Sequence, residues 1–396
     1  MTTIINNEHK KLNVPNLRFP EFQGEWEKCK VSDLLDFYST NSLSWDKLEY
    51  GTDAIQNLHY GLIHVGLPTM IDLSKDKLPN IKNGNTPKNY ELCQEGDIAF
   101  ADASEDTNEV AKAVEFYKLN GKTVICGLHT IHGRDNQQKT VVGYKGYAFS
   151  STAFHHQIRR IAQGTKIYSI NSKNFSECYI GIPSKEEQKK IATLLRLIDE
   201  RIATQNKIID KLQSLIKGIR HDIFKDIQGE VLALSNIADI YQPQTISSSD
   251  LTSEGYWVYG ANGIIGKYKE YNHETEQICI TCRGNTCGTV NYTQPKVWIT
   301  GNSMVINTDK YQRQVNKRFL FHYLSSYNFK SIVSGSGQPQ IVRTPLEKIK
   351  VVLPTIEKQV RIANSIDIVS EKINTESSVL RLLENQKQYL LRQMFI

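Results

Sequence analysis

The chain has 396 residues, of which 39% are hydrophobic, and a formal net charge of +6. This length exceeds one ordinary hydrophobic core, so we expect two or more domains, and the mildly basic charge permits nucleic-acid binding without requiring it. Because no apolar run could cross a membrane, no secretory segment opens the chain and seven cysteines form an odd set, we expect reduced thiols, a cytoplasmic protein and no membrane association.

The first globular region, roughly residues 15–183, has the pattern of a mixed α/β domain with many short strands. Strands are predicted over residues 96–100 and 122–126. Clusters of glycine and asparagine, such as residues 83–85, punctuate the region and are typical of tight turns.

A strict heptad pattern follows this region. Its ladder steps by four and three residues without a slip: Ile191, Leu195, Ile198, Ile202, Gln205, Ile209, Leu212, Ile216, Ile219 and Ile223. This period is typical of a coiled-coil seam, and Pro183 ahead of it fits a helix entry. The ordinary alternative is an amphipathic helix that lies on a globular core.

The second globular region, roughly residues 226–353, has a similar pattern. We predict strands over residues 277–282 and 296–300 and a helix over 316–331. Its glycine-rich loops differ from those of the first region, which is expected if two copies of one scaffold recognise different things.

The second ladder repeats the first at an offset of 171 positions, within a block of 44 residues that has no gap. Its rungs are Ile362, Ile366, Val369, Ile373, Glu376, Leu380, Leu383, Lys387, Leu390 and Met394. Matched positions include Gly164/Gly335, Pro183/Pro354, Gln188/Gln359, Ile191/Ile362 and Ala192/Ala363. The chain is therefore predicted to contain two copies of one unit, each a globular region followed by a long helix.

Two such units related by a pseudo-two-fold axis would place their helices antiparallel, with Gln205 and Glu376 near the axis. We expect an α+β fold in which two mixed α/β domains are separated by an antiparallel coiled coil. The predicted segments are 1–183, 184–225, 226–353 and 354–396.

Metal and catalytic motifs are weak. Cys279 and Cys282 have zinc-ligand spacing and His273 could add a ligand, but the alternating apolar residues around them favour a buried strand that enters a glycine turn. Histidines in residues 129–132 and 155–156 are predicted to be ordinary surface residues. We therefore expect no metal.

The run from Ala261 to Lys267 imitates a phosphate loop, but Tyr268 stands where a serine or threonine would hold magnesium. The sequence has no dinucleotide loop, base-methylation motif or convincing nuclease carboxylate cluster. We therefore expect a protein that is not an enzyme.

Three elements carry a resemblance to a known family. They are the opening Pro15–Phe22 with Trp26-Glu27, the paired Pro-x-x-x-x-Gln-x-x-Ile-Ala blocks at Pro183 and Pro354, and the loop Tyr259–Gly266. Together with the duplicated architecture, they make the chain similar to specificity subunits of type I restriction-modification enzymes, over nearly its whole length from about residue 15.

This resemblance implies two target-recognition domains that each read one half of a bipartite site in double-stranded DNA. It also implies that the long helices form an antiparallel spacer that docks two methyltransferase subunits, which restriction subunits join. The chain would need no cofactor, since S-adenosylmethionine, ATP and Mg²⁺ would bind to partner subunits. Because the two helical blocks match at Gln188/Gln359 and at the Ile-Ala pairs, we expect both blocks to be docking surfaces as well as a seam.

Base recognition needs arginine, lysine, asparagine and glutamine on loops that reach base edges. Each candidate alone could be ordinary solvated surface. The candidates for DNA binding are Lys82, Asn85, Lys88, Arg134, Asn262, Lys267, Tyr268, Arg283, Asn285, Gln340 and Arg343.

Two other functions remain open. A non-catalytic coiled-coil scaffold that binds only proteins would lack salt-sensitive affinity for DNA. A metalloenzyme that uses the cysteines around Cys282 would contain metal after purification.

Overall fold

The computed structural model describes residues 13–261, 263–335 and 337–396. The chain divides into a first unit, Met1–Gln205 with Val379–Ile396, and a second unit, Asn206–Ser378. Each unit therefore contains the beginning of one long helix and the end of the other.

The first unit is mixed α/β. Its strands are β1 (Glu27–Lys30), β2 (Asp36–Tyr38), β3 (Leu48–Glu49), β4 (Gln56–Leu58), β5 (Met70–Asp72), β6 (Asn80–Ile81), β7 (Ile98–Ala101), β8 (Ala103–Ser104), β9 (Ala113–Lys118), β10 (Val124–Cys126), β11 (Thr130–Arg134), β12 (Tyr168–Ser169) and β13 (Tyr179–Ile182). Its helices are α1 (Val31–Leu34), α2 (Tyr60–His64), α3 (Lys145–Phe149), α4 (Thr152–Ile161) and α5 (Ser172–Ser176), and α6 (Lys185–Lys225) begins here.

The second unit is also mixed α/β but has fewer elements among the described residues. Its strands are β14 (Glu230–Ala233), β15 (Asp239–Tyr241), β16 (Tyr256–Gly260), β17 (Gly263–Tyr268), β18 (Ile278–Thr281), β19 (Val290–Tyr292), β20 (Trp298–Ile299), β21 (Ser303–Asn307) and β22 (Lys350–Leu353). Its helices are α7 (Lys317–Ser326) and α8 (Arg343–Glu347), and α9 (Ile356–Gln393) begins here.

The two units share a strand order that sequence comparison of their front halves did not reveal. In the first, β2-β11-β7-β9 are neighbours and antiparallel, and β5 extends the sheet; in the second, β15-β21-β18-β19 have the same order and directions. A second sheet in each unit has a parallel pair, β10 with β4 and β20 with β16. In both units the strand ahead of the long helix pairs with an early strand, β13 with β1 and β22 with β14.

Both long helices follow the predicted ladder. All rungs of the two ladders are buried or half-buried, and only the last, Met394, lies beyond the end of its helix. In the first unit, Ile191, Leu195 and Ile198 join a core that also contains Leu390 and Met394. A fully buried leucine or isoleucine stabilises the fold by roughly 1.5–3 kcal/mol, so tertiary packing supports these helices.

The predicted short elements are present with shifted ends. The strands expected over residues 96–100 and 277–282 are β7 and β18. The helix expected over 316–331 ends at Ser326, and its first turn is capped by Asn316, whose side chain accepts from the backbone N–H of Phe319 at 2.9 Å. None of the described helices combines the length and apolar character needed to cross a bilayer.

Candidate nucleic-acid interface

A buried glutamine fastens the start of α6 to the loop ahead of α3. The Gln188 side-chain oxygen accepts from the backbone N–H of Val141 at 2.8 Å. Its amide nitrogen donates to the carbonyls of Lys139 and Pro183 at 3.1 and 2.9 Å. The side chain is fully buried, so these bonds replace the ones it would make with water.

Gln359 repeats this arrangement at the start of α9. Its oxygen accepts from Asn316 N–H at 2.8 Å, and its nitrogen donates to the carbonyls of Gln314 and Pro354 at 3.0 and 2.9 Å. It is also fully buried. Both matched glutamines therefore hold the helix to its own domain, and docking by the helical blocks, which stays a prediction, would depend on other residues.

Three loops of the second unit meet at the end of β18. Beyond this strand, Arg283 lies opposite Gln340 in an isolated bridge, and Gly284 N–H donates to the Pro339 carbonyl at 3.0 Å. Arg283 and Asn285 are exposed and Gln340 is half-buried. Three predicted residues are thus brought together on one surface.

The β16–β17 turn joins the same surface. The carbonyl of Ala261 accepts from the hydroxyls of Thr281 and Thr286 at 2.7 and 3.2 Å, which ties this turn to the loop after β18. Asn262, the predicted contact in the turn, lies outside the described residues.

Aromatic side chains support the other candidates on β17. The Lys267 ammonium lies 4.8 Å from the centre of the Trp257 ring, which is 40% exposed. Tyr268 packs edge-on against Trp298 at 5.0 Å. Arg343 is exposed at the start of α8, where its Nε donates to Glu347 at 2.6 Å.

Lys82, Asn85 and Lys88 lie in the turn after β6 of the first unit. The Lys82 ammonium donates to the Asp46 carbonyl at 2.7 Å, and the Asn85 amide donates to the Lys82 carbonyl at 3.3 Å. Lys88 is exposed. Asn85 therefore helps to close the turn, and Lys88 presents its charge to solvent.

Arg134 is bound within the first unit. Its Nε and Nη1 donate to Asp97 and Glu91 at 2.8 and 2.7 Å, and its Nη2 donates to the Leu92 carbonyl at 2.8 Å. The guanidinium also lies 4.5 Å from the centre of the Tyr38 ring. These contacts stabilise the protein itself; a contact between Arg134 and DNA stays a prediction.

A hairpin of the first unit contains candidates that the sequence argument missed. Gln163 and Ser169 exchange backbone hydrogen bonds of 2.8 and 2.9 Å, as Ser334 and Gln340 do in the second unit at the same offset of 171. Between the first two residues lies the exposed Lys166. Extending the match at Gly164/Gly335 would have identified this loop.

The loops beside these matched hairpins differ in charge. In the second unit Gln340 lies against Arg283, whereas Ser169 lies against Ala103 in the first. The following residues of the first unit, Glu105 and Asp106, are acidic and exposed. The loop beside the matched hairpin therefore carries an arginine in the second unit and two carboxylates in the first.

Polar contacts fasten the two long helices in each unit. In the first, Asp199 on α6 accepts from the Tyr147 hydroxyl at 2.9 Å and pairs with Lys387 on α9 at 2.6 Å. In the second, His322 on α7 accepts from Arg220 on α6 at 3.0 Å and donates to Asp367 on α9 at 2.8 Å.

Burial lowers the pKa of His322 to about 4, although the Asp367 carboxylate opposes the change. The imidazole is therefore neutral at pH 7. This agrees with its hydrogen bonds, because only a neutral ring has one nitrogen that accepts and one that donates.

The cysteines considered for zinc in the second unit do not converge. Cys279 packs in one apolar cluster and Cys282 in another, on opposite faces of the sheet, and burial raises the pKa of Cys279 to about 12. His273 is hydrogen-bonded to Tyr241 at 2.9 Å. Among the described residues, potential ligand atoms converge instead in the first unit, at Cys93, Cys126 and His132.

A protein-family model matches most of the chain. A model described as the type I restriction modification DNA specificity domain matches residues 76–214 and 227–385, one match in each repeat.

Similar curated proteins have related descriptions. The chain is 25% identical over 421 residues to a protein assigned as the MjaX specificity subunit of a type I restriction enzyme from Methanocaldococcus jannaschii, covering 97% of this chain and 96% of that protein. It is 27% identical over 162 residues to the EcoprrI specificity subunit of Escherichia coli, covering 40% of each chain.

Among solved structures, the S subunit of a type I restriction-modification system from M. genitalium matches with a TM-score of 0.62 at 17% identity, covering 97% of this chain and 99% of that one. A chain from a type I restriction-modification assembly matches with a TM-score of 0.56 at 14% identity, covering 92% and 96%. At these identities the likeness concerns the fold.

Proposed function

The chain belongs to the family of type I restriction-modification DNA specificity subunits, and from that premise we propose that each of its units reads one half of a bipartite target in double-stranded DNA. The observation that carries this proposal is the pairing of a repeated scaffold with different loops. The strand order and the buried glutamine recur in both units, whereas the loops beside the matched hairpins differ in charge.

In the second unit the loops after β18 and before α8 would read bases. Arginine pairs with guanine, and asparagine or glutamine pairs with adenine, through two hydrogen bonds in the major groove. Arg283, Asn285 and Gln340 offer these groups on one surface. Asn262, Lys267, Tyr268 and Arg343 would add base or phosphate contacts around them.

In the first unit the basic groups are more dispersed. Lys88 and Lys166 are exposed on separate loops, with Lys82, Asn85 and Arg134 as the other candidates. Lysines of this kind suit phosphate contacts, which position a protein without reading sequence.

The long helices would form an antiparallel spacer and dock two methyltransferase subunits. Each globular domain contacts the beginning of one long helix and the end of the other. This arrangement supports antiparallel pairing. Leu197 and Ile368 supply a second argument: they are equivalent at the offset of 171 and are 48% and 68% exposed. Matched apolar side chains in solvent suit two equivalent partners.

In this proposal the chain catalyses nothing itself. Methyltransferase subunits would bind S-adenosylmethionine, and restriction subunits, where present, would bind ATP and Mg²⁺. The chain would direct them to their site.

Methylated bases mapped in a genome with and without this chain test the function. We expect a bipartite motif that appears only with the chain. If no motif depends on the chain and its DNA binding is insensitive to salt, a protein-binding scaffold is favoured instead. Exchange of residues 226–353 for those of a relative should then change one half of the motif, whereas a change in both halves would contradict independent readers.

A further inference from the structure

The first unit contains a buried group of two thiols and an imidazole that the proposed function does not use. The side chains of Cys93, Cys126 and His132 are 5%, 2% and 0% exposed. Their ligand atoms all lie within 4.8 Å of one another. They come from three places in the fold: the loop ahead of β7, the end of β10 and the middle of β11.

The two sulfurs have the separation of metal ligands. Cys93 Sγ and Cys126 Sγ are 3.6 Å apart, far beyond the roughly 2.0 Å of a disulfide bond. Two sulfurs, each about 2.3 Å from a tetrahedral zinc ion, are about 3.8 Å apart. The observed separation therefore fits a bridge through zinc with little movement.

A buried carboxylate holds the imidazole of His132. Its Nε2 donates to the buried carboxylate of Asp97 at 2.7 Å, and Arg134 holds the other oxygen of that carboxylate at 2.8 Å. This bond fixes the proton on Nε2 and leaves the lone pair on Nδ1. Carboxylates commonly orient zinc-bound histidines in this way.

The other ring nitrogen, Nδ1, has no partner among the described residues. Among the described atoms, His132 Nδ1 is buried and makes no hydrogen bond. An unpaired buried nitrogen destabilises a fold, because it has lost its hydrogen bonds to water. A metal ion bound by this nitrogen would remove that penalty.

The second unit fills the equivalent place without such a group. In the first unit His132 lies opposite Ala99 in β7. In the second unit Cys279 of β18 corresponds to Ala99, and Val305 lies opposite it. Cys126 ends β10 as Ile299 ends β20. In the second unit, therefore, apolar side chains stand where the first has a thiol and an imidazole.

The third ligand also has a counterpart. Cys93 N–H donates to the carbonyl of Val124, two residues before Cys126, and His273 N–H donates to the carbonyl of Val297, two residues before Ile299. Both ring nitrogens of His273 have partners, Tyr241 at 2.9 Å and Asn272 at 2.6 Å. The unpaired Nδ1 of His132 therefore has no equivalent at these three positions of the second unit.

We propose that Cys93, Cys126 and His132 bind one Zn²⁺ ion in the first recognition domain. Two thiolates and an imidazole suit zinc, and a water molecule completes the tetrahedron. Binding releases the two thiol protons, so the thiolates balance the charge of the ion. The ion joins the sheet that contains β10 to the sheet that contains β11, and it fixes the segment that leads to Arg134.

Metal analysis of the purified, reduced full-length chain tests this proposal. The variant Cys126→Ile takes the residue of the second unit, and Cys279→Ala is a matched control because Ala99 holds the equivalent position in the first. We expect about one zinc per chain in the wild type and in Cys279→Ala, and at least a tenfold loss in Cys126→Ile.

A second measurement covers the case in which Cys126→Ile does not fold. Metal-stripped wild-type chain, titrated with Co²⁺, should develop thiolate-to-cobalt charge-transfer absorption that saturates at one ion per chain and disappears on addition of zinc. Zinc retained by folded Cys126→Ile, wild type that takes up neither metal, or a Cys93–Cys126 disulfide in the chain as isolated would each overturn the proposal.

Discussion

At the scale of single residues, the two central arginines of the predicted interface differ in their partners. Arg134 is bonded to Asp97, Glu91 and a backbone carbonyl, so its loss would take one charged donor from the buried Asp97 carboxylate. Arg283 is exposed beside Gln340 at the end of a buried strand. Substitution of Arg134 should therefore reduce stability, whereas substitution of Arg283 reports on recognition.

Arg283→Ala should weaken recognition of one half-site by about 1–3 kcal/mol, the usual contribution of an arginine that forms two hydrogen bonds to a guanine. Methylation of targets with single-base changes measures this effect, and discrimination should relax at one position only. Lys310→Ala is the control, because Lys310 follows the opposite end of the same sheet, where it pairs with Asp239. Equal losses in both variants would show a general effect of charge.

His322 should make the second unit sensitive to acid. Its pKa is about 4 in the fold and about 6.5 in an unfolded chain, so the unfolded state binds the proton first as pH falls. Stability should thus be complete above pH ~6.5 and decline towards pH ~4, by on the order of 3 kcal/mol.

His322→Gln, which can still accept from Arg220 and donate to Asp367, should remove part of this decline in the free energy of unfolding. His273 has a pKa of about 4 for the same reason, its burial, so His273→Gln should remove a further part. Unchanged pH dependence in both variants would contradict the assignment.

At the scale of elements, α6 and α9 have an inner and an outer face. The inner ladder packs into the cores, and the glutamine ahead of it is buried. The outer face retains a matched apolar pair, Leu197 and Ile368. Since burial excludes the glutamines from docking, this pair is the better candidate for contact with a partner.

Leu197→Glu should remove one methyltransferase from the complex, and Ile368→Glu should remove the other. A charge in an apolar contact is costly because it loses its water, whereas both sites are exposed in the free chain and should tolerate it. Light scattering of the co-purified complex measures the mass. Lys211→Glu, at an exposed helix position, is the control. If the variant that combines Leu197→Glu and Ile368→Glu retains two methyltransferases, this docking surface is contradicted.

At the scale of the whole molecule, the proposed function implies that repetition and helix length would set the distance between the two half-sites on DNA. From Ile191 to Ile223 the seam rises about 48 Å, at ~1.5 Å per residue. Half-sites one duplex turn apart are separated by ~34–36 Å. A spacer of this length would allow two readers to occupy successive turns.

Insertion of four residues after Gln205 and four after Glu376 should lengthen the gap between half-sites by one or two bases. Four residues add ~6 Å to each helix, close to two base-pair steps of about 3.4 Å, and nearly preserve the face of the seam. Methylated-motif mapping should show the same half-sites with the longer gap. An active double insertion with unchanged spacing would show that another element measures the distance.

The sequence by itself determined the repeat, the two long helices and the family. These features are local or periodic: the ladder needs only its own residues, and the offset of 171 is visible without a fold. Position within a tight turn also predicted the exposure of Arg283 and Asn285 correctly.

Only the tertiary structure decided which side chains meet and which are buried. Sheet register brings Cys93, Cys126 and His132 together from three separate segments, while Cys279 and Cys282, which are close in sequence, lie on opposite faces. Likewise, Gln188 and Gln359 are buried because loops distant in the chain supply their partners. Strand pairing and burial depend on contacts between distant residues, which no local pattern records.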